Sequence, residues 1–203
     1  MSCASPLLNP VSCRIPRKAD MIAIMSTRFL DHLADLPATT RALQKGAQLF
    51  DCGDPVTHLH AVRRGEVHLL RRQPDGTAFV LQRAGPGAIL AEASVMSETF
   101  HCAAEAACDS SVTLWPLAAV RARIAEDAAT TEAFARHLAG EVRQARLRAE
   151  IASHRRVADR LDAWLAWHEG AMPHKGAWHR LAGELGVSPE ALYRELARRR
   201  RAG

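Results

Sequence analysis

The chain has 203 residues, of which 48% are hydrophobic and 24% are charged, and its formal net charge is +5. This composition is ordinary for a globular protein of one large or two small domains. It excludes a membrane-embedded protein, because no stretch approaches the ~20 consecutive apolar residues that a spanning helix needs. The N-terminal segment lacks the long apolar core of a signal peptide, so we expect a cytoplasmic location.

Residues 1–25 mix serine, proline and arginine without periodicity, and we predict a disordered tail there. The chain has five cysteines, of which Cys3 and Cys13 lie in this tail. An odd number of cysteines in a cytoplasmic protein argues against a disulfide framework. Reactive thiols, metal ligands and inert buried thiols all stay open as roles for them.

Residues 41–115 have the glycine spacing of a β-rich segment. Glycines recur roughly every ten residues, a spacing typical of short strands joined by turns. Pro74-Asp75-Gly76 is a turn signal between the apolar runs 67–70 and 79–81. We therefore predict a β-hairpin around this turn.

Residues 117–153 are predicted to form one long helix. Its second half carries a narrow apolar stripe at helical spacing, which is typical of a coiled-coil seam. We predict a homodimer interface formed by Phe134, Leu138, Val142, Ala145 and Ala149. The alternative is an amphipathic helix that packs on the core of its own domain. A second helix is predicted over 157–168, and the segment 170–176 breaks it.

The segment 178–196 has the pattern of a helix, a tight turn and a second helix. The first helix has an apolar face that includes Leu181 and Leu185, and Gly186 supplies the positive φ that ends it. Ser188 is predicted as the N-cap of the second helix, followed by a proline at its first position. Such a helix-turn-helix places its second helix in the major groove of DNA.

The C-terminal half of the chain is rich in arginine from Arg136 to Arg201, which is the electrostatic pattern of a polyanion binder. Glu190 and Arg194 are predicted to contact base edges, because carboxylates accept from cytosine and arginine donates to guanine. The full set predicted to contact DNA is Ser188, Glu190, Arg194, Arg198 and Arg199. The alternative is a helical hairpin with no role in DNA binding.

From about Leu36 onward, the chain resembles the CRP/FNR superfamily of bacterial transcription regulators. The motifs that carry this resemblance occur in the family's order and spacing. They are LFDCGD at 49–54, LHAVRRGEV at 59–67, GPGAILAE at 85–92, VADRL at 157–161 and SPEALYR at 188–194.

The resemblance implies an α+β fold. Its parts would be a cupin-like β-roll sensor domain over 26–116, a dimerisation helix over 117–153, and a C-terminal helix-turn-helix domain over 154–203. Because the sequence stops at Gly203, we expect the wing that usually follows the second helix to be truncated.

Departures from the family pattern indicate which effectors, the small molecules or ions that regulate such proteins, this chain is not expected to bind. Members that bind cyclic nucleotides hold the phosphate with an arginine, whereas here no arginine lies between Arg83 and Arg121, although Glu92 is present. Cys3 and Cys13 do not have the spacing of the family's iron–sulfur ligands. The haem-binding members have Cys and His where this chain has residues 90–92. We expect no cAMP, no haem and no typical iron–sulfur cluster.

The predicted roll instead contains sulfur and imidazole donors. We predict cysteine-based sensing, through Cu(I) or another thiophilic metal or through thiol redox chemistry. The candidate ligands are Cys52, Cys102, Cys108 and His101. Three alternatives stay open: inert buried thiols, an organic effector and no effector.

The sequence as a whole predicts a transcription regulator, not an enzyme, that binds inverted-repeat DNA as a homodimer. RNA polymerase is a further candidate partner, and no membrane is expected. A different class of protein stays open, namely a cupin-type metalloenzyme. Its metal site would use the His58-Leu59-His60 motif with Glu66 nearby.

Overall fold

The computed structural model describes residues 28–202, so the tail predicted over 1–25 lies outside the described residues. Eight strands are followed by five helices that we label α1 to α5. The strands are β1 Thr39–Leu43, β2 Gln48–Phe50, β3 His58–Arg64, β4 Val67–Arg72, β5 Ala78–Ala84, β6 Ile89–Leu90, β7 Ala103–Ala106 and β8 Ser110–Pro116. The helices are α1 Leu117–Glu126, α2 Ala128–Ser153, α3 Val157–Trp167, α4 Trp178–Glu184 and α5 Pro189–Ala202.

The strands form two antiparallel four-stranded sheets, ordered β1-β8-β3-β6 and β2-β7-β4-β5. Their inner faces enclose an apolar core that includes Phe50, Val67 and Val112. The predicted hairpin is confirmed as β4 and β5, and Gly76 adopts a φ of +84° in the turn. Together these strands form the roll, from 39 to 116.

Helices α1 and α2 pack on the outer face of the roll. Phe29, Trp115 and Phe134 meet in a second core, where the Trp115 indole donates to the Leu33 carbonyl at 3.1 Å. The prediction of one continuous helix over 117–153 is wrong. Asp127 separates α1 from α2, because its extended backbone interrupts the helix and its carboxylate accepts from the first amides of α2.

The C-terminal helices share a third core with the end of α2. Leu181 and Leu185 of the predicted apolar face are buried in it, together with Ala182, Leu192 and Leu196. Leu147 and Ile151 of α2 pack against the same cluster. Among residues 28–202, no helix is both long enough and apolar enough to cross a membrane.

Candidate nucleic-acid interface and sensor domain

The turn between α4 and α5 has the geometry that the sequence predicts. Gly186 adopts a φ of +62°, and the Ala191 amide donates to Ser188 Oγ at 3.2 Å. Pro189 then begins α5, where its missing N–H costs no helical hydrogen bond. Ser188 is therefore confirmed as a helix cap, and the turn fixes the direction in which α5 leaves α4.

The N-terminal half of α5 presents a polar face to solvent. Glu190 and Arg194 are exposed, and Tyr193 between them is 43% exposed. The pKa of Glu190 is lowered by hydrogen bonds from its own amide and from the Ser188 hydroxyl, and by the charge of Arg194. The face thus combines an ionised acceptor, an aromatic ring and a guanidinium, which are the side chains that read base edges.

Arg198 and Arg199, the last two residues of the predicted DNA-contact set, differ in their surroundings. Arg198 bonds Glu195 at 2.8 Å but is 60% exposed, so it still faces solvent. Arg199 bonds Glu195 at 2.7 Å and Asp162 at 2.6 Å, and it donates to the Ala158 carbonyl. The Arg199 guanidinium thus holds α5 on α3, and its contact with DNA stays a prediction. The hydrogen bonds that Glu195 accepts, the larger effect coming from Arg198 and the next from Arg199, lower its pKa to about 2.

Arg160 on α3 was not singled out by sequence analysis as a functional residue. Its guanidinium donates to Leu185 O at 2.8 Å and Gly186 O at 2.9 Å in the α4–α5 turn. It also donates to His154 O at 2.8 Å and Ala152 O at 3.1 Å, where α2 ends. One side chain therefore joins the end of the long helix to the turn that positions α5.

The predicted dimer stripe on α2 is divided between two environments. Phe134 is only 5% exposed and packs on Phe29 with ring centroids 5.0 Å apart, so its prediction as an interface residue is wrong. Leu138 is partly buried against the same core. By contrast, Val142 is 49% exposed, and Ala145 and Ala149 are also exposed. Val142, Ala145 and Ala149 thus form an exposed apolar surface on α2, which begins one helical turn after Leu138.

The predicted metal ligands are not gathered into one site. Cys102 and Cys108 lie at opposite ends of β7, and the His101 imidazole lies 3.3 Å from Ser94 Oγ. Over residues 28–202, no group of three or more His, Cys, Asp or Glu side chains is placed to hold a metal ion. The donor set of Cys52, Cys102, Cys108 and His101 therefore does not fit a Cu(I) or other thiophilic metal centre.

The three thiols also differ in exposure. Cys52 and Cys108 are exposed, whereas Cys102 is buried in the core of the roll. Burial, followed by the nearby Cys52, raises the pKa of the Cys102 thiol to about 11. Cys102 is therefore a neutral thiol near pH 7, which disfavours both metal binding and nucleophilic attack.

Two polar groups of the roll that sequence analysis named, His60 and Glu92, are buried or half-buried, which it did not predict. His60 packs against the stacked rings of Phe50 and Phe100, and burial lowers its pKa to about 4. Burial, with a smaller contribution from Glu141 of α2, raises the pKa of Glu92 to about 7. Among the described residues, His60 Nδ1 and Glu92 Oε2 have no hydrogen-bond partner. Glu92 thus places a carboxyl that titrates near neutral pH beside α2.

The alternative metalloenzyme site is not assembled either. His60 is buried against Phe50, and His58 bonds the Thr57 hydroxyl at 2.9 Å. Glu66 bonds His68 and Arg180 instead of approaching this pair. The HxH motif therefore lacks the nearby carboxylate that a cupin-type site would supply.

Comparisons with known proteins bear on the fold. Residues 40–127 match the family model of the cyclic nucleotide-binding domain. No curated protein matches the chain in sequence. FixK2 from Bradyrhizobium japonicum is similar in structure, with a TM-score of 0.66 and 20% identity, over 80% of this chain and 84% of that chain.

Two regulators from Thermus thermophilus are also similar. One, of the CRP family, has a TM-score of 0.56 and 19% identity over 80% of this chain and 85% of its own. The other, of the CRP/FNR family, has a TM-score of 0.56 and 22% identity over 81% of this chain and 87% of its own. Residues 40–127 are therefore similar to the cyclic nucleotide-binding domain, and the chain has the fold of CRP/FNR-type transcription regulators.

Proposed function

We propose that the protein is a sequence-specific DNA-binding transcription regulator that acts as a homodimer. The observation that carries this proposal is the exposed face of α5, where Glu190, Tyr193 and Arg194 follow a capped turn. The order of the elements supports it, since a helix-turn-helix needs two helices joined by a tight turn, as α4 and α5 are. The apolar surface on α2 supplies a place for a second copy, and RNA polymerase is the proposed partner in transcription.

The proposed DNA site is an inverted repeat with half-site centres about one helical turn apart. Arg194→Ala is expected to weaken binding to a site selected from random DNA by ~1–3 kcal/mol and to relax the preference at one base pair. Fluorescence anisotropy on the selected duplex and on single-base variants measures both effects.

Arg198→Ala is the matched control for this prediction, because Arg198 lies on the same helix and faces solvent. We expect it to weaken binding to all sequences equally and to reduce the salt dependence of binding. If Arg194→Ala weakens specific and random DNA to the same extent, Arg194 contacts only the backbone, and the proposed reading of base edges is wrong.

We propose that the effector is neither cAMP nor haem, and that control runs through redox chemistry at Cys52. Cys52 is the exposed thiol of the turn over 51–54. Gly53 N in this turn donates to Phe100 O at 2.7 Å, and Phe100 N donates to Asp54 O at 2.9 Å. Hydrogen peroxide would oxidise the Cys52 thiolate to a sulfenic acid: the sulfur attacks one peroxide oxygen, the O–O bond breaks and hydroxide leaves, to be protonated by solvent. The added oxygen would disturb this contact.

Peroxide is expected to change the DNA affinity of the wild-type protein and to leave Cys52→Ser unchanged. Cys108→Ser is the matched control, since it removes an exposed thiol at the far end of β7 and should keep the response. Trapping with dimedone and peptide mass spectrometry locates the sulfenic acid. A wild-type protein that does not respond to peroxide would favour an organic effector or none.

A further inference from the structure

An acidic residue of the roll holds an arginine of the helix pair. Arg180 Nη2, in the first turn of α4, lies 2.8 Å from Glu66 Oε2, in the turn between β3 and β4. The Glu66 side chain is 21% exposed and the Arg180 side chain 51%. This ion pair connects two parts of the chain that are separated by more than half of its length.

Glu66 is held rigidly by its backbone. Its amide donates to Ser110 Oγ at 3.1 Å, and its carbonyl accepts from the Ala107 amide at 2.9 Å. The preceding Gly65 adopts a φ of +86°, and a Cβ there would lie 2.2 Å from Ser110 Oγ, so only glycine fits. The roll therefore fixes the backbone position from which the Glu66 side chain extends.

The β4–β5 hairpin makes a second contact with α4. His68 Nε2 donates to Glu66 Oε1 at 2.7 Å, because a carboxylate can only accept. Arg83 faces His68 across the hairpin, and its Nη2 lies 2.9 Å from where a Cβ of Gly183 would be. Arg180 and Gly183 are neighbours on one face of α4, and the hairpin covers both.

We propose that this contact is an autoinhibitory latch in which Glu66 and a DNA phosphate compete for Arg180. The proposal rests on the proposed function. The first helix of a helix-turn-helix crosses the DNA backbone, and a guanidinium on it would bind phosphate. While Glu66 occupies Arg180, it neutralises that charge and places a carboxylate where the backbone would approach. DNA binding thus requires α4 to leave the hairpin.

The test measures binding of the full-length protein to a fluorescently labelled random-sequence duplex. Glu66→Gln is expected to bind about two- to fivefold more tightly than wild type, the range expected for the loss of one partly exposed ion pair. Glu98→Gln removes the same charge from an exposed position elsewhere on the roll and corrects for the change in net charge. In an Arg180→Ala background, Glu66→Gln should change binding no more than Glu98→Gln does.

Hydrogen exchange without DNA supplies a readout that does not depend on the proposed function. Glu66→Gln should speed exchange in peptides over 178–184 compared with Glu98→Gln. Faster exchange with no DNA binding by any variant would contradict the proposed function and, with it, the competition. The latch is overturned if Glu66→Gln and Glu98→Gln change DNA affinity equally, or if the excess of Glu66→Gln over Glu98→Gln persists in Arg180→Ala.

Discussion

The variant Val142→Glu is expected to be a monomer that has lost tight binding to an inverted-repeat site. Val142 is 49% exposed on α2, in the apolar surface that we propose as the dimer seam. A glutamate there would bury an unpaired charge from each copy, at a cost of about 3–5 kcal/mol. At 1.4 kcal/mol for each tenfold change, dimerisation should weaken by at least ~100-fold.

The position of Val142 separates dimerisation from folding. Val142 and Ala149 lie on the opposite side of α2 from Leu147 and Ile151, which pack on the C-terminal core. Leu138 is a poorer test, because it is partly buried against the core of its own chain and a charge there would also destabilise the monomer. Val142→Glu should therefore dissociate the dimer and keep the monomer folded.

Light scattering coupled to size exclusion measures the mass of the particle, and circular dichroism reports whether helix content is kept. Val80→Glu is the matched control, since Val80 is 40% exposed on β5 and lies outside α2. It should leave the mass unchanged. A dimer that persists in folded Val142→Glu would place the interface on another surface.

Local sequence signals predicted the elements whose contacts are close in sequence. Pro74-Asp75-Gly76 indicated the β4–β5 hairpin, and Gly186 with Ser188 indicated the turn before α5, because each conformation is set by a few adjacent residues. Asp127 shows a local signal that was missed. An aspartate before helix-forming residues is a common N-cap, and it divides the predicted helix over 117–153 into two.

Contacts between distant segments could not be predicted in this way. Phe134 has the same helical spacing as Val142, but it packs on Phe29 of its own chain, and spacing alone does not specify a partner. Cys102 and Cys108 are near in sequence but lie at opposite ends of β7, because a strand is extended. The ion pair of Glu66 and Arg180 depends on how the helix pair rests on the roll.

Arg160→Leu is expected to destabilise the C-terminal helices and to reduce DNA affinity. The substitution removes the donor shared by four carbonyls, two in the α4–α5 turn and two at the end of α2. Hydrogen bonds from a charged donor contribute about 1.5–3 kcal/mol each, and since the four act together we expect a loss of about 3 kcal/mol. The free energy of unfolding from urea denaturation measures it.

The effect on DNA binding follows from what Arg160 connects. In a dimer held by α2, the spacing of the two copies of α5 depends on how firmly the α4–α5 turn is fixed to the end of α2. Arg160→Lys should recover only part of the stability, because an ammonium cannot reach four acceptors in a planar array as a guanidinium does. Arg155→Leu is the matched control, because it removes the same charge from an exposed position between α2 and α3. If it destabilises the protein as much as Arg160→Leu, the loss comes from net charge. The Arg160 bonds would then contribute nothing to holding α5 on α2.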